Sequence, residues 1–179
     1  AGFIGSHLIE ALLKLSYKVI CLDNFDDFYD PKIKRKNILN AQKDKNFVLC
    51  EGDVRDGVFL EKVFTAHSID LVVHLAARAG VRPSIQRPEL YYDVNVIGTL
   101  RLLEAMRVSG VEKLVFGSSS SVYGNNPKVP FTESDQVDIP ISPYAETKKA
   151  AELLWHTYHK LYDFDIFCLA LFKLITRGV

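Results

Sequence analysis

Apolar positions along the chain follow two alternating rhythms. Residues 5–16 (GSHLIEALLKLS) place Leu8, Leu12 and Leu15 on one face at helical spacing. Residues 18–22 (KVICL) form a short apolar run of the kind that fills a buried strand. The polar stretch DNFDDFYDP then reads as a loop, and Pro31 suits the first position of a helix through IKRKNILNAQ. The alternation continues with a strand at 47–52, a helix at 55–67 and a strand at 70–76. After an irregular stretch, 88–110 reads as one long helix closed by Gly110. A fourth strand is predicted at 113–119, and 120–142 is loop-rich, with Gly124, Pro127, Pro130 and Pro140. The helix at 142–162 has Ser142 as N-cap and Pro143 at its first turn, and 164–171 is a final strand. Strand and helix alternation of this kind predicts an α/β fold, a doubly wound parallel sheet with right-handed crossovers and helices on both faces. Such sheets bind nucleotides at the carboxyl ends of their strands.

Composition narrows the partners. A hydrophobic share of 48% over 179 residues supports one domain with a well-formed core. Lys plus Arg equals Asp plus Glu, 22 each, which gives no reason to expect a nucleic acid or an anionic membrane surface. No apolar run reaches the roughly 18 residues that a bilayer span needs. Cys21, Cys50 and Cys168 lie in apolar runs without CxxC spacing, so buried free thiols in a cytoplasmic protein are expected, with no disulfide framework and no metal site. His156 and His159 are three apart on a helix without an evident third ligand and read as a solvated face.

Gly2 and Gly5 have the spacing of the last two glycines of a GxxGxxG turn, with Phe3 and Ile4 between them. Glycine there lets backbone approach a pyrophosphate, and the helix N-terminus offers unpaired N–H groups. The first glycine and its strand would lie upstream of residue 1, so the chain reads as a piece that starts within a motif. Asp23 ends the next strand, where a carboxylate accepts from the adenosine ribose hydroxyls and favours NAD over NADP. Asp53 ends the following strand. It can accept from the adenine amino group while Val54 covers the ring, or cap the helix beginning at Arg55.

Tyr144 and Lys148 are four apart and share a helix face. An ammonium near a phenol hydroxyl, with a helix N-terminus close by, favours the phenolate and makes a general base near neutral pH. The strand ahead of them ends FGSSSSVYG, which puts several hydroxyls at a carboxyl edge. Ser119 is the candidate to hydrogen-bond a substrate hydroxyl, with Ser118 and Ser120 beside it; the alternative is a flexible serine loop.

GFIGSH, Asp23-Asn24, GDVRD, HLAARAGV, YYDVNVIGTLRLLEA, SSSSVYG and SPYAETKKAAE occur in order and spacing that resemble the NAD-dependent epimerase/dehydratase family, over residues 1 to about 169. The resemblance implies a Rossmann-like domain over 1–169 that lacks its first strand and most of a C-terminal substrate domain. It implies a tightly held NAD contacted by Gly2, Phe3, Ile4, Gly5, Asp23, Asn24, Asp53, Val54, Leu75, Ala76, Ala77, Asn95, Tyr144 and Lys148. Ser119, Tyr144 and Lys148 would carry catalysis on a nucleotide sugar, in a homodimer. Family dehydratases carry an acid pair before Val-Tyr-Gly, and decarboxylases keep a Glu there. Here Ser120 and Ser121 stand at those positions, which leaves oxidation and re-reduction, as in an epimerase. DNFDDFYDPKIKRKNI and ARAGVRPSIQRP resemble UDP-glucuronate 4-epimerases more than UDP-glucose 4-epimerases. Arg82 would then meet the sugar carboxylate, unless it is a plain surface arginine. Neutral-sugar epimerisation and an inactive NAD-binding remnant are the competing readings. The tail 170–179 departs from the family pattern and is expected to be a remnant of the substrate domain or a displaced segment.

Overall fold

The structure, a computed structural model, describes residues 1–172. Helices α1 (Phe3–Lys14), α2 (Pro31–Asn37), α3 (Gly57–Ala66), α4 (Val81–Gln86), α5 (Pro88–Tyr92), α6 (Gly98–Ser109) and α7 (Pro143–Tyr162) are interleaved with five strands. These are β1 (Val19–Asp23), β2 (Phe47–Glu51), β3 (Val72–His74), β4 (Lys113–Ser119) and β5 (Asp165–Leu171). Every ladder is parallel, as the alternation predicts, and the pairing runs β1–β2 and, separately, β3–β4–β5. In the common doubly wound order, the strand ahead of the phosphate turn lies between two such ladders. Among the described residues no strand occupies that place.

Local chemistry fixes the helix starts. The Asp30 side chain accepts from the Lys32 amide ahead of Pro31, Asp56 accepts from Phe59, and Ser142 accepts from Ala145 at 3.2 Å. Gly110 closes α6 at φ 70°, a left-handed cap that a β-carbon would strain. The main core joins three helices to the sheet. Leu60 and Phe64 of α3, Leu103 and Met106 of α6 and Ala151 and Tyr158 of α7 pack on Leu114 and Phe116 of β4. Leu103 is fully buried, and Leu103→Ala would cost about 2–5 kcal/mol. A second cluster, with Ile9, Val19, Cys21 and Ile38, seats α1 on β1.

Several boundaries differ from the pattern. The 88–110 segment is α5 and α6 joined by a π-helical turn at Asp93–Ile97, an insertion that hydrophobic spacing does not register. The irregular stretch holds α4. The second helix stops at Asn37, where Ile38 turns into the core at 1% exposure. All three thiols are free, but only Cys21 is buried. Cys50 on β2 and Cys168 on β5 are half-buried. β5, by contrast, runs Asp165–Leu171, within a residue of the strand expected at 164–171. The tail from 173 onward lies outside the described residues. Among the described residues, no helix is long and apolar enough to cross a membrane, and no cluster of His, Cys, Asp and Glu could hold a metal ion.

Candidate active site

Two groups of candidates meet the carboxyl edges of the strands. At the first, Gly2 caps α1 without a side chain, and the first turn carries no acid. The opening N–H groups of α1 therefore remain available to an anion. A β-carbon on Gly2 would sit 3.5 Å from the Tyr29 hydroxyl, an ordinary contact, and one on Gly5 would meet nothing within 4 Å. Phe3 and Ile4 are exposed. Asp23 stands at the end of β1, its Oδ1 accepting from the Phe25 amide at 2.7 Å and lying 3.5 Å from Lys34 Nζ. Burial opposes its charge, whereas the Phe25 amide and Lys34 favour it. A glycine-capped helix beside a half-buried, ionised carboxylate fits the phosphates and ribose of a dinucleotide.

Asp53 lies just beyond the end of β2, as expected, and its carboxylate is engaged from within the chain. Arg55 engages it through its backbone N, Nε and NH2 at 2.9, 2.9 and 2.7 Å, and Asn24 Nδ2 donates to it at 2.9 Å. These bonds, the Arg55 side chain foremost, pull its pKa to about 2 against the cost of burial. All its acceptor sites are in use, so an adenine amino group must displace Asn24 or Arg55. The helix cap nearby is Asp56, not Asp53. Val54 is buried and packs where a β-carbon on Gly98 would stand, 2.8 Å from Val54 Cγ2.

At the second edge, β4 ends in Ser118 and Ser119, both buried. The Ser119 Oγ accepts from the Ser121 amide at 3.2 Å and lies 3.1 Å from the Ser121 Oγ, turning the chain into a 3-10 turn over Ser120–Tyr123. Opposite them, the first turns of α7 carry Tyr144, half-buried, and Lys148, buried. Lys148 Nζ donates to the Gly117 carbonyl at 2.7 Å and lies 5.1 Å from the Phe116 ring centre. Burial pushes Lys148 down to about 8, partly offset by the neighbouring Cys168 thiol and Glu152 carboxylate. A β-carbon on Gly117 would lie 2.9 Å from Leu75 Cδ2, so Leu75 would have to shift to admit one. Leu75, Ala76 and Ala77 follow β3 and are half-buried.

The structure also brings in residues that motif spacing leaves unassigned. Ser84 of α4, fully buried, accepts from the Tyr144 amide at 3.1 Å and donates to the Val81 carbonyl at 2.6 Å. That bond docks α4 on the start of α7, with exposed Arg82 two residues from it. Tyr91 meets the Tyr144 ring edge-on at 6.2 Å and donates to the Ala79 carbonyl. Asn95, expected to touch the cofactor, is 2% exposed and spends its amide internally. It accepts from the Arg78 N–H at 2.7 Å, and donates to the Arg78 carbonyl at 3.1 Å and to Thr147 Oγ1 at 3.0 Å. Thr147 in turn donates to the Tyr144 carbonyl. His74 is neutral, pushed down to about 3 by burial and Lys148, and donates to Thr99, whose own proton goes to the Asn95 carbonyl. Ser118, expected beside the substrate, instead donates to Glu152 of α7. An acid four residues beyond Lys148 is the sequence signal for Glu152.

Residues 1–176 match the family described as GDP-mannose 4,6 dehydratase. A UDP-glucuronate 4-epimerase of Thermodesulfobacterium geofontis is 48% identical over 167 residues, 93% of this chain and 51% of that protein. The crystal structure of a mutant UDP-glucuronic acid 4-epimerase from Bacillus cereus, with UDP-4-deoxy-4-fluoro-glucuronic acid and NAD, superposes with a TM-score of 0.85 at 37% identity. It covers 94% of this chain and 53% of that one. UDP-glucose 4-epimerase from Brucella ovis in complex with NAD gives 0.86 at 31% identity, over 97% and 50%. The chain thus spans about half the length of the relatives it matches.

Proposed function

Because the chain belongs to the NAD-dependent epimerase/dehydratase family, through its match to GDP-mannose 4,6 dehydratase, we propose that the full-length protein is an NAD-dependent nucleotide-sugar 4-epimerase that interconverts UDP-glucuronate and UDP-galacturonate. The observation that carries this reading is the end of β4. Only hydroxyls, those of Ser119, Ser120 and Ser121, stand there before Val122-Tyr123-Gly124, facing the helix that bears Tyr144 and Lys148. A serine cannot efficiently protonate a departing hydroxide or remove a carbon-bound proton. The set is suited to moving one hydroxyl proton out and back.

Gly2 through Gly5, Asp23 and the β3–α4 loop would hold NAD, which supplies the hydride acceptor and donor when bound. Tyr144 takes the proton of the sugar C4 hydroxyl, and Lys148 supplies the positive charge against which that proton moves. Ser119 accepts or donates at the same oxygen. The resulting 4-keto sugar presents its other face, and Tyr144 returns the proton with inverted configuration. Arg82 favours a sugar acid over a neutral sugar. It is an exposed guanidinium on the short helix that Ser84 fastens to the Tyr144 amide. We further place the full-length enzyme as a cytoplasmic homodimer. The free thiols support the compartment, and exposed Val108, Leu153 and Leu161 on α6 and α7 support a paired surface.

The test is to give the full-length protein UDP-glucuronate and follow products by proton NMR. UDP-galacturonate without carbon dioxide is expected. A UDP-pentose as main product overturns the reaction, and much faster turnover of UDP-glucose overturns the substrate.

A further inference from the structure

Tyr144, Lys148 and Glu152 stand at i, i+4 and i+8 of α7, and so along one face. Glu152 keeps only 14% of its side chain exposed, which is unusual for a carboxylate on a long helix. It accepts a hydrogen bond from the Ser118 hydroxyl of β4. Its Oε1 lies 3.9 Å from the Cys168 thiol of β5, and its Oε2 3.4 Å from Lys149 Nζ. One turn earlier, Lys148 donates to the carbonyl of Gly117, the residue just before Ser118. Two successive residues of β4 are thus gripped by an acid and a base from the same helix, immediately ahead of Ser119. We propose that Glu152 is a positioning residue of the active site, which fixes the end of β4 against α7 and supplies the countercharge that keeps Lys148 an ammonium. This rests on the epimerase reading for its consequence in turnover, but not for its physical test.

The surroundings of Lys148 leave that task to Glu152. From β3 it faces His74, which is neutral, and from β5 Cys168, whose thiol burial pushes up to about 11. Phe116 offers a ring face. α7 itself presents Tyr144, Lys149 and Glu152, and the turn after β4 presents Tyr123, held protonated by burial and by neighbouring acids. Glu152 is the carboxylate of this set. Without its charge, burial draws the lysine further down, since desolvation penalises the charged form.

The experiment separates charge from shape. Glu152→Gln keeps an oxygen for the Ser118 hydroxyl and removes the charge, whereas Glu152→Ala removes both. Full-length protein labelled with ¹³C at lysine Cε is titrated by NMR, with the Lys148 signal identified by its loss in Lys148→Met. In Glu152→Gln the Lys148 midpoint should fall by about one pH unit, the scale of one nearby charge at intermediate dielectric. The alkaline limb of kcat should fall with it, while KM for the nucleotide sugar stays put. An unmoved Lys148 midpoint in Glu152→Gln overturns the proposal, even if Glu152→Ala unfolds, because the acid would then be only a hydrogen-bond acceptor. If the parent protein turns over no nucleotide sugar, the epimerase reading fails and the NMR midpoint still decides the role of Glu152.

Discussion

Replacing Asn95 by Ala tests whether the π-helical turn exists to aim one buried amide. Its side chain closes three hydrogen bonds, two to the backbone of Arg78 and one to Thr147, at 2.7, 3.1 and 3.0 Å. Alanine leaves the Arg78 N–H and carbonyl without these partners, at about 1–2 kcal/mol each by the usual cost of an unmet buried group. Thr147 keeps its bond to the Tyr144 carbonyl, so its loss is nearer 0.5–1 kcal/mol. The sum is about 2.5–5 kcal/mol, a large part of the roughly 5–15 kcal/mol that holds a domain together. For a domain of this size it lowers Tm by about 5–20 °C. The assay is a melt of the full-length protein without cofactor, with urea unfolding as a second measure. The β3–α4 loop should also loosen, because Arg78 anchors it, so NAD affinity should drop in step. A Tm within about 2 °C of the parent would refute the reasoning. It would mean that water or relaxation replaces all three bonds, and that the π turn has no structural task here.

Further expectations follow from the same geometry. NAD should bind the full-length protein far better than NADP, and Asp23→Ser should narrow that gap in calorimetry; equal affinities in the parent would remove Asp23 from the ribose. Burial holds Lys148 at about 8, below the ordinary lysine value of 10.5, so between those values the unfolded chain binds the extra proton and stability rises with pH. Lys148→Met should therefore raise Tm at pH 7 while losing turnover, and the gain should shrink as pH climbs from 8 to 10.5; a destabilised variant at pH 7 contradicts a buried ammonium. Asp53 is depressed, so the stability it contributes is complete above pH 3.8 and lost as pH falls through about 2. Asp53→Asn should flatten that acid limb in pH-dependent melts, and an unchanged limb would show that Arg55 does not need the charge.

The sequence pattern carried the framework because it depends on periodicity and capping, which are local. The Ser142-Pro143 start of α7 and the apolar run of β5 lie within a residue of expectation. What it could not carry was set by contacts distant along the chain. The π turn adds a residue inside a continuous helix without changing its apolar face enough to be read. Ser118 and Ser119 are neighbours with the same side chain, yet one is taken by Glu152, 34 residues on, and the other caps a turn. Asp53 was a plausible adenine ligand by position, but its neighbour Arg55 saturates it, aided by Asp93 from the π turn. Motif spacing named the residues of the site; only the packing showed which of their atoms were already engaged.

Turnover of Tyr144→Phe in the full-length protein, measured with UDP-glucuronate beside the parent, is the most direct test. The variant keeps the ring that packs edge-on against Tyr91 and loses only the hydroxyl. It should fold, bind NAD as the parent does, and lose about 10²–10⁴-fold in kcat, the usual worth of a positioned acid–base group. Near-parental turnover would place the proton elsewhere and contradict the account.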